Sequence, residues 1–174
     1  MHRALSVARL ALGVAGIFSA TTVAGPAASG ACSGPAYHEL DFFVGNWVVT
    51  DKLGKQFATD RVSKEYGGCV IWEQCFGARG SHGAGYSGYV PTRHVWVQTF
   101  MDDRGTVLVF EGGPAGASFS ISGPSYPKPG AIEQNHVIFR TLPQRVVEEY
   151  WTVWDDGNKT SRVIFDGFFH PAKP

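Results

Sequence analysis

The chain is organised around one short segment, His38-Glu39-Leu40-Asp41-Phe42-Phe43-Val44-Gly45-Asn46-Trp47. Apolar side chains along residues 37–43 predict one or two helical turns that pack down onto a core. Val44-Gly45 ends those turns, and a strand-like run begins directly after Gly-x-Trp. The residues before this segment have the composition of a leader, and the residues after it form a succession of strand patterns.

Residues 1–31 have the anatomy of a secretory signal peptide. Basic residues open it, an apolar core occupies residues 10–24, and small residues at 26–31 offer a cleavage site after Ala31. The apolar run is too short and too often interrupted by glycine to predict a membrane-spanning helix. We therefore expect an exported protein, periplasmic or secreted, whose mature chain is residues 32–174.

Cys32 directly follows the small residues, so a lipid anchor on this cysteine is an alternative to simple export. A lipoprotein cleavage site normally has an aliphatic residue three positions before the cysteine, and Ser29 stands there. The sequence therefore favours export without a lipid anchor.

Residues 32–174 are long enough for a single domain with a substantial core. The chain has 15 basic and 15 acidic residues and no basic run, which argues against nucleic acid or an anionic membrane surface as a partner. Aromatic residues make up 13% of the sequence, and its 22 glycines follow no period. In an exported chain of this size, that composition is typical of an antiparallel barrel or sandwich.

About ten strand-like runs follow the opening segment, and nearly all are joined by short turns, including a strong Asp156-Gly157 hairpin signal. No βαβ spacing occurs, so a parallel sheet is excluded. The sequence predicts an all-β fold: an up-and-down antiparallel barrel of about ten strands with a short N-terminal helix. The proline-containing residues 122–130 are predicted to hold no regular element and to form the longest loop, a candidate lid or rim.

The mature chain keeps three cysteines, Cys32, Cys69 and Cys75. Cys69 and Cys75 lie on one predicted strand, where six residues separate their Cα atoms by roughly 20 Å. A disulfide tolerates about 4.4–6.8 Å, so these two cannot pair and Cys32 must take one of them as its partner. We expect Cys32–Cys69, which ties the N-terminal arm to the barrel wall and leaves Cys75 as a buried, inert thiol.

Several motifs of the mature chain occur together and in order. They are Asp41-Phe42-Phe43-Val44-Gly45-Asn46-Trp47, Gly67-Gly68-Cys69-Val70-Ile71-Trp72-Glu73, Trp96-Val97-Gln98-Thr99-Phe100-Met101-Asp102, Asp156-Gly157-Asn158-Lys159-Thr160 and Phe165-Asp166-Gly167-Phe168. This set resembles the motifs of a large, uncharacterised group of exported bacterial proteins: Phe-Asp-Phe-x-x-Gly-x-Trp, Gly-Gly-Cys-x-x-x-Glu, Trp-His-Gln-Thr-Trp-x-Asp, Asp-Gly-Gly-Lys-Thr and Phe-Asp-Gly-Tyr. The predicted fold of that group is calycin-like, related to lipocalins.

The resemblance implies a calycin-like barrel and a Cys32–Cys69 disulfide, and it implies no particular activity. By analogy with the lipocalin Gly-x-Trp, it also implies that Trp47 packs over the barrel floor. The chain departs from the group's pattern at several positions, namely Val97, Phe100, Thr152 and most of residues 85–90. A polar site shared by that group would therefore be altered in part here.

Glu73 lies in the most apolar predicted strand, on the face that it shares with Cys69 and Ile71. An unpaired buried carboxylate is costly, so Glu73 lies at a strand end or has a partner, and Arg61 and Arg140 are the strand-embedded candidates. Three interpretations follow: a structural Glu–Arg pair inside the barrel, a polar anchor for a ligand, or a general acid or base with a raised pKa.

Two other strands carry polar and aromatic groups on one face. Trp96, Gln98 and Phe100 combine an apolar wall with a placed amide, as ligand cavities do, although the same pattern also fills barrel cores. Glu149 and Trp151 share a face of a later strand whose inward side the sequence leaves open. The ligand-binding candidates are Arg61, Glu73, Trp96, Gln98, Arg140 and Trp151, and the catalytic candidates are Glu73 and Glu149.

The histidines of the mature chain lack the spacing of a zinc site, so no metal is expected. No other cofactor is expected either, except for the remote alternative of a haem held by His136 in mid-strand. Gly85-Tyr86-Ser87-Gly88 is not a nucleophile elbow, since the strand-turn-helix context is missing.

Three functional hypotheses remain. The first is an exported barrel that binds a small, largely apolar or aromatic ligand in its interior. The second is a barrel enzyme of isomerase, cyclase or lyase type that uses an interior glutamate for proton transfer. The third is a structural or interaction protein with a filled barrel. The sequence predicts neither the identity of the ligand nor the oligomeric state.

Overall fold

The structure is a computed structural model that describes residues 30–155 and 160–173. The predicted leader, up to residue 29, and the predicted Asp156-Gly157 turn lie outside the described residues. No helix in the described part of the chain is long and apolar enough to cross a membrane.

The described chain forms ten strands: β1 Gly45–Thr50, β2 Gln56–Glu65, β3 Val70–Gly77, β4 His82–Val90, β5 Val95–Asp102, β6 Val107–Ala115, β7 Ser118–Ser125, β8 Glu133–Thr141, β9 Val147–Trp154 and β10 Ser161–Pro171. Each strand lies beside its neighbour in sequence, and β1 pairs with β10 to close the barrel. All of these pairings are antiparallel, so the predicted up-and-down antiparallel barrel is confirmed.

Two short 3-10 turns, Pro35–His38 and Asp41–Phe43, form the predicted N-terminal helical segment. They carry Phe43 into one end of the barrel, where Phe43 and Trp47 are each only 2% exposed. The Trp47 indole Nε1 donates a hydrogen bond of 2.9 Å to the Phe43 carbonyl, and the Phe43 and Phe169 ring centroids lie 5.2 Å apart. Trp47 therefore packs over the barrel floor, as the resemblance implies, and the N-terminal arm plugs this end.

The arm is tied to the barrel wall at two further points. Cys32 and Cys69 form the predicted disulfide, with their Cα atoms 5.0 Å apart. Lys64 of β2 donates a hydrogen bond of 2.5 Å to Asp41 and another of 3.2 Å to the carbonyl oxygen of Tyr37. The plug is thus held by a covalent bond, an ion pair and ring packing together.

Alternation along each strand decides which side chains enter the barrel. In β2, Ala58 and Val62 are buried, and the side chains between them at Thr59 and Arg61 are exposed. Asp60 therefore shares the inward face with its two apolar neighbours, and it is only 4% exposed. The same alternation turns Glu73 of β3 inward.

The segment at 122–130 differs from its prediction, because β7 runs through Pro124 to Ser125. The pairing of β6 with β7 ends at Glu111 and Ser122, whereas β7 stays paired with β8 as far as Ser125. Pro124 therefore lies where β7 has one paired neighbour, and a proline with no N–H to donate is tolerated at such an edge. The irregular loop is confined to residues 126–132.

Candidate functional site

A cavity of about 270 Å³ lies inside the barrel, between the plug and the opposite end. Its floor includes Phe139 and Phe169, which also pack on Phe43 of the plug. Its walls carry aromatic rings from several strands: Phe57, Phe100, Phe110, Trp151 and Phe165. Such a volume is near the lower limit of ligand pockets, so it suits a small molecule with an apolar body.

Glycines on β4 shape one wall of this cavity. Gly83 and Gly85 face inward, and the Phe100 ring of β5 lies over them. A Cβ atom on Gly83 would stand 2.5 Å from Phe100 Cζ. Because Gly83 and Gly85 have no side chains, the Phe100 ring packs directly against this wall and the centre of the barrel stays open.

The cavity opens toward the hairpins at the unplugged end. Ser81 of the β3–β4 connection and His82 at the start of β4 reach it, as do Asp102 at the end of β5 and Arg104 of the turn that follows. A larger outer space of about 690 Å³ adjoins it, sharing Phe100, Trp151 and Phe165 among its lining residues. Residues from the end of β7 and the loop that follows, including Tyr126 and Pro127, border this outer space. The 126–132 loop therefore lies at the rim of the cavity entrance.

Three acidic side chains enter the cavity from three strands: Asp60 of β2, Glu73 of β3 and Glu149 of β9. Asp60 and Glu73 are 4% and 9% exposed. They lie diagonally across the β2–β3 pair, since Asp60 is opposite Cys75 and Val62 is opposite Glu73. Their carboxyl groups hydrogen-bond to each other, an arrangement that requires a proton between them.

Burial determines the protonation of this cluster. It raises the pKa of Glu73 to about 7. Burial, with the added charge of Glu73, raises the pKa of Asp60 to about 10. Burial and the charge of Glu73 also raise the pKa of Glu149 well above its ordinary value. At neutral pH the cluster therefore holds protons, and it can donate as well as accept hydrogen bonds.

The cluster has few protein partners. Gln98 Nε2 donates to Glu73 Oε2 at 3.4 Å, whereas Asp60 Oδ1 is buried with no hydrogen-bond partner. Among the described residues that line the cavity, Arg104 is the sole arginine or lysine, and its side chain is 78% exposed at the mouth and bound to Asp102. Among the described residues that line the cavity, no buried arginine or lysine neutralises the three carboxyl groups.

Neither arginine that the sequence offered as a partner for Glu73 lines the cavity with it. Arg61 is exposed on the outer face of β2, because it alternates with the inward Asp60. Arg140 also lies outside, where it donates to Glu148 at 2.8 Å and covers the Tyr150 ring at 5.7 Å. Neither arginine lines the cavity, so neither can contact a ligand held there.

The other predicted ligand contacts separate into two groups. Glu73, Gln98 and Trp151 line the cavity, as does Glu149, the second catalytic candidate. Trp96 does not: it is 2% exposed, and its Nε1 donates to Glu39 Oε2 of the arm at 2.9 Å. The small void beside Trp96 measures about 10 Å³, which is too small for any ligand larger than water. The prediction that Trp96 contacts a ligand is therefore not met by this geometry.

Trp151 is oriented on the cavity wall by a hydrogen bond and a ring contact. Its Nε1 donates a hydrogen bond of 2.9 Å to Asn135 Oδ1, and its ring meets Phe110 edge-on with centroids 5.7 Å apart. Asn135 is 1% exposed and donates in turn to Ser125 Oγ at 2.9 Å. This chain of contacts fixes the indole plane and connects the cavity wall to the end of β7.

Cys75 and His136 complete the predicted set. Cys75 is outside the disulfide, and burial with the three nearby acids raises the pKa of its thiol to about 12, which keeps it protonated and unreactive. His136 is exposed on the outer face and packs edge-on against Trp154. Alternation turns Asn135 and Val137 inward and His136 outward, so His136 does not line the barrel interior.

In residues 30–155 and 160–173, no group of three or more His, Cys, Asp or Glu side chains is placed to hold a metal ion.

Asp60 lines the cavity and was not among the candidate site residues taken from the sequence. Its signal was present in the alternation Ala58-x-Asp60-x-Val62, which places the carboxylate on an apolar face.

No protein-family model matches this chain, and no curated protein matches it in sequence. The closed ten-stranded antiparallel barrel is established. Membership of the exported calycin-like family remains a prediction.

Proposed function

We propose that this protein is an exported barrel that binds a small, largely apolar or aromatic molecule in the 270 Å³ cavity. The ligand's apolar body contacts the aromatic walls, and its polar group is directed at Asp60, Glu73 and Glu149. The observation that carries the proposal is a hollow, aromatic-lined interior that contains a buried carboxyl oxygen without a partner. A barrel that served only as a structural element would gain stability from filling this space.

Export is part of the same proposal. The Cys32–Cys69 disulfide supports it, because disulfides persist mainly in oxidising compartments. The leader-like composition of residues 1–31 gives independent support.

Filling the cavity tests the proposal. Ala58 lines the cavity and is 5% exposed, so Ala58→Phe places a ring where the ligand body would lie. We expect the affinity for indole, a small neutral aromatic probe, to fall by at least about tenfold in calorimetric titration, because the apolar contact area is lost.

Ala84→Phe is the matched control, since Ala84 lies on the outer face of β4 between Gln74 and Met101. It should bind indole as the wild type does. Leu108→Phe fills the cavity from β6 and serves as a second blocking variant. Equal indole binding by all four proteins, or none by the wild type, contradicts the proposal.

A second candidate function is acid–base catalysis on the bound molecule. The Asp60–Glu73 pair favours it, because a shared proton and a Glu73 pKa of about 7 suit proton transfer at neutral pH. Recovery of a bound compound in chemically altered form, with conversion stopped by Glu73→Gln, would distinguish this function from binding alone.

A further inference from the structure

We propose that the cavity selects organic cations: its ligand carries a protonated amine that takes its place among Asp60, Glu73 and Glu149 and expels at least one proton from them. This inference rests on the proposed function, because it names the chemical class of the molecule that the cavity binds.

The composition of the cavity lining supports a positively charged ligand. Asp60, Glu73 and Glu149 come from three different strands and converge inside the barrel. Buried acids in folded proteins are normally paired with a cation or neutralised by a proton. The described interior offers no arginine or lysine to them, since Arg104 is engaged with Asp102 at the mouth.

The hydrogen-bond inventory supports a donor-rich ligand. Three carboxyl groups offer six oxygens, and the protein N–H donors that reach them in the described chain are few: Gln98 Nε2, at a long 3.4 Å from Glu73, and the backbone N–H of Arg61 at Asp60. Asp60 is 4% exposed, and its Oδ1 is buried without a partner while the side chain lines the cavity. A primary ammonium group brings three N–H donors and no acceptor, which complements this excess of acceptors.

The aromatic wall supports an organic cation over a bare metal ion. Trp151 and Phe110 are fixed edge-to-face on the cavity wall, and Phe100 covers the adjoining glycines. Ring faces attract ammonium groups and also contact an apolar ligand body. A calcium ion would want six to eight oxygen ligands, and the described residues place no such group.

Binding is coupled to protons because the cluster is protonated when empty. The titratable and charged groups that line the cavity are Asp60 of β2, Glu73 and Cys75 of β3, His82 of β4, Asp102 and Arg104 of β5 and its turn, and Glu149 of β9. An ammonium ion stabilises the ionised carboxylates, so a carboxyl proton passes to the buffer as the ligand enters. Affinity should therefore rise between about pH 6 and pH 8, while the amine, with a pKa of about 10, stays charged.

The test compares two probes with the same skeleton, 2-phenylethylamine and the neutral 2-phenylethanol, in calorimetric titrations at pH 7. Two buffers of different ionisation enthalpy give the number of protons released. We expect the amine to bind about 10- to 100-fold more tightly than the alcohol. We also expect about one proton to be released with the amine and none with the alcohol.

Variants locate the effect. Glu149→Gln, and separately Glu73→Gln, should reduce the preference for the amine to less than about threefold while alcohol binding persists. Glu148→Gln is the matched control, since that carboxylate lies on the outer face of β9 and binds Arg140. It should keep the full preference.

The outcomes separate the two proposals. If both probes bind equally, or the amine binds without proton release, the cation inference fails and the binding function stands. If neither probe binds, both fail. If Glu148→Gln abolishes the preference as fully as Glu149→Gln does, the cation is held outside the barrel and the inference is wrong.

Discussion

Trp47→Ala is expected to lower the free energy of unfolding by about 3–5 kcal/mol, the cost of removing a large buried aromatic side chain. The indole is 2% exposed and packs against Phe43 and Phe169 with ring centroids 6.1 and 6.4 Å away. Its removal also leaves the Phe43 carbonyl without its indole donor. These neighbours are themselves anchored in the barrel wall and the arm, so the space is poorly refilled.

Urea denaturation of the purified protein measures this change. Trp154→Ala removes the same side chain from the outer face of β9, where it meets His136, and should cost less than about 1.5 kcal/mol. Similar losses in the two variants would contradict the assignment of Trp47 as the residue that closes the barrel.

The second large effect concerns pH. We expect the protein to be most stable at mildly acidic pH and to lose about 3 kcal/mol or more between pH 5 and pH 9. The pKa of Glu73 is about 7 in the folded state against an ordinary value of 4.5, and that of Asp60 is about 10 against 3.8. The unfolded chain releases these protons near pH 4, whereas the folded chain keeps them. The stabilisation is thus complete below the ordinary carboxyl pKa and is lost as the pH rises through the folded values.

Two carboxylates outside the Asp60–Glu73–Glu149 cluster contribute with the opposite sign at lower pH. The pKa values of Asp41 and Asp102 lie below their ordinary value, despite some burial, because Lys64 and His38 bind the former, and Thr106 and Arg104 bind the latter. Their contribution is present above the ordinary carboxyl pKa and is lost as the pH falls through the lowered values. The two effects together place the stability maximum near pH 4–5.

Thermal unfolding across pH 5–9 tests the prediction. The double variant Asp60→Asn/Glu73→Gln removes two of the ionisable groups and should flatten the profile and exceed the wild type in stability at pH 9. Glu111→Gln, at the exposed pair with Arg93, should leave the slope unchanged. A wild type that gains stability from pH 5 to pH 8, or a double variant with the wild-type slope, would contradict the proposed burial of the acids.

Much of the fold was predictable because local signals agreed with the global arrangement. Short glycine-containing turns between strand-like runs specified an up-and-down barrel. The strand of residues 69–75 kept Cys69 and Cys75 too far apart to pair, and Cys32 was found bonded to Cys69. Pro124 misled the prediction, because a proline prevents pairing on one side of a strand only, and β7 continues through it beside β8.

The candidate site was predictable only in part, because its composition depends on strand parity. Glu73 and Gln98 were found on the cavity wall, since the apolar neighbours of each fixed its face. The sequence named Arg61 and Arg140 as candidate partners of Glu73 without assigning their faces, and alternation along β2 and β8 places both side chains outside the barrel. Trp96 has the expected inward parity and lies too close to the plug. Whether an inward side chain packs against the plug or lines the cavity depends on its position along the barrel axis. Strand register determines that position.

The most direct test of the binding site uses the indole N–H signals of the five tryptophans in a proton–nitrogen correlation spectrum, recorded during titration with indole. We expect the Trp151 indole signal to shift progressively, together with the side-chain amide signal of Gln98, because both residues line the cavity. The signals of Trp47 and Trp96, which pack against the plug, should stay unchanged. Shifts at Trp72 or Trp154 with Trp151 unmoved would place any binding outside the barrel interior and contradict the account.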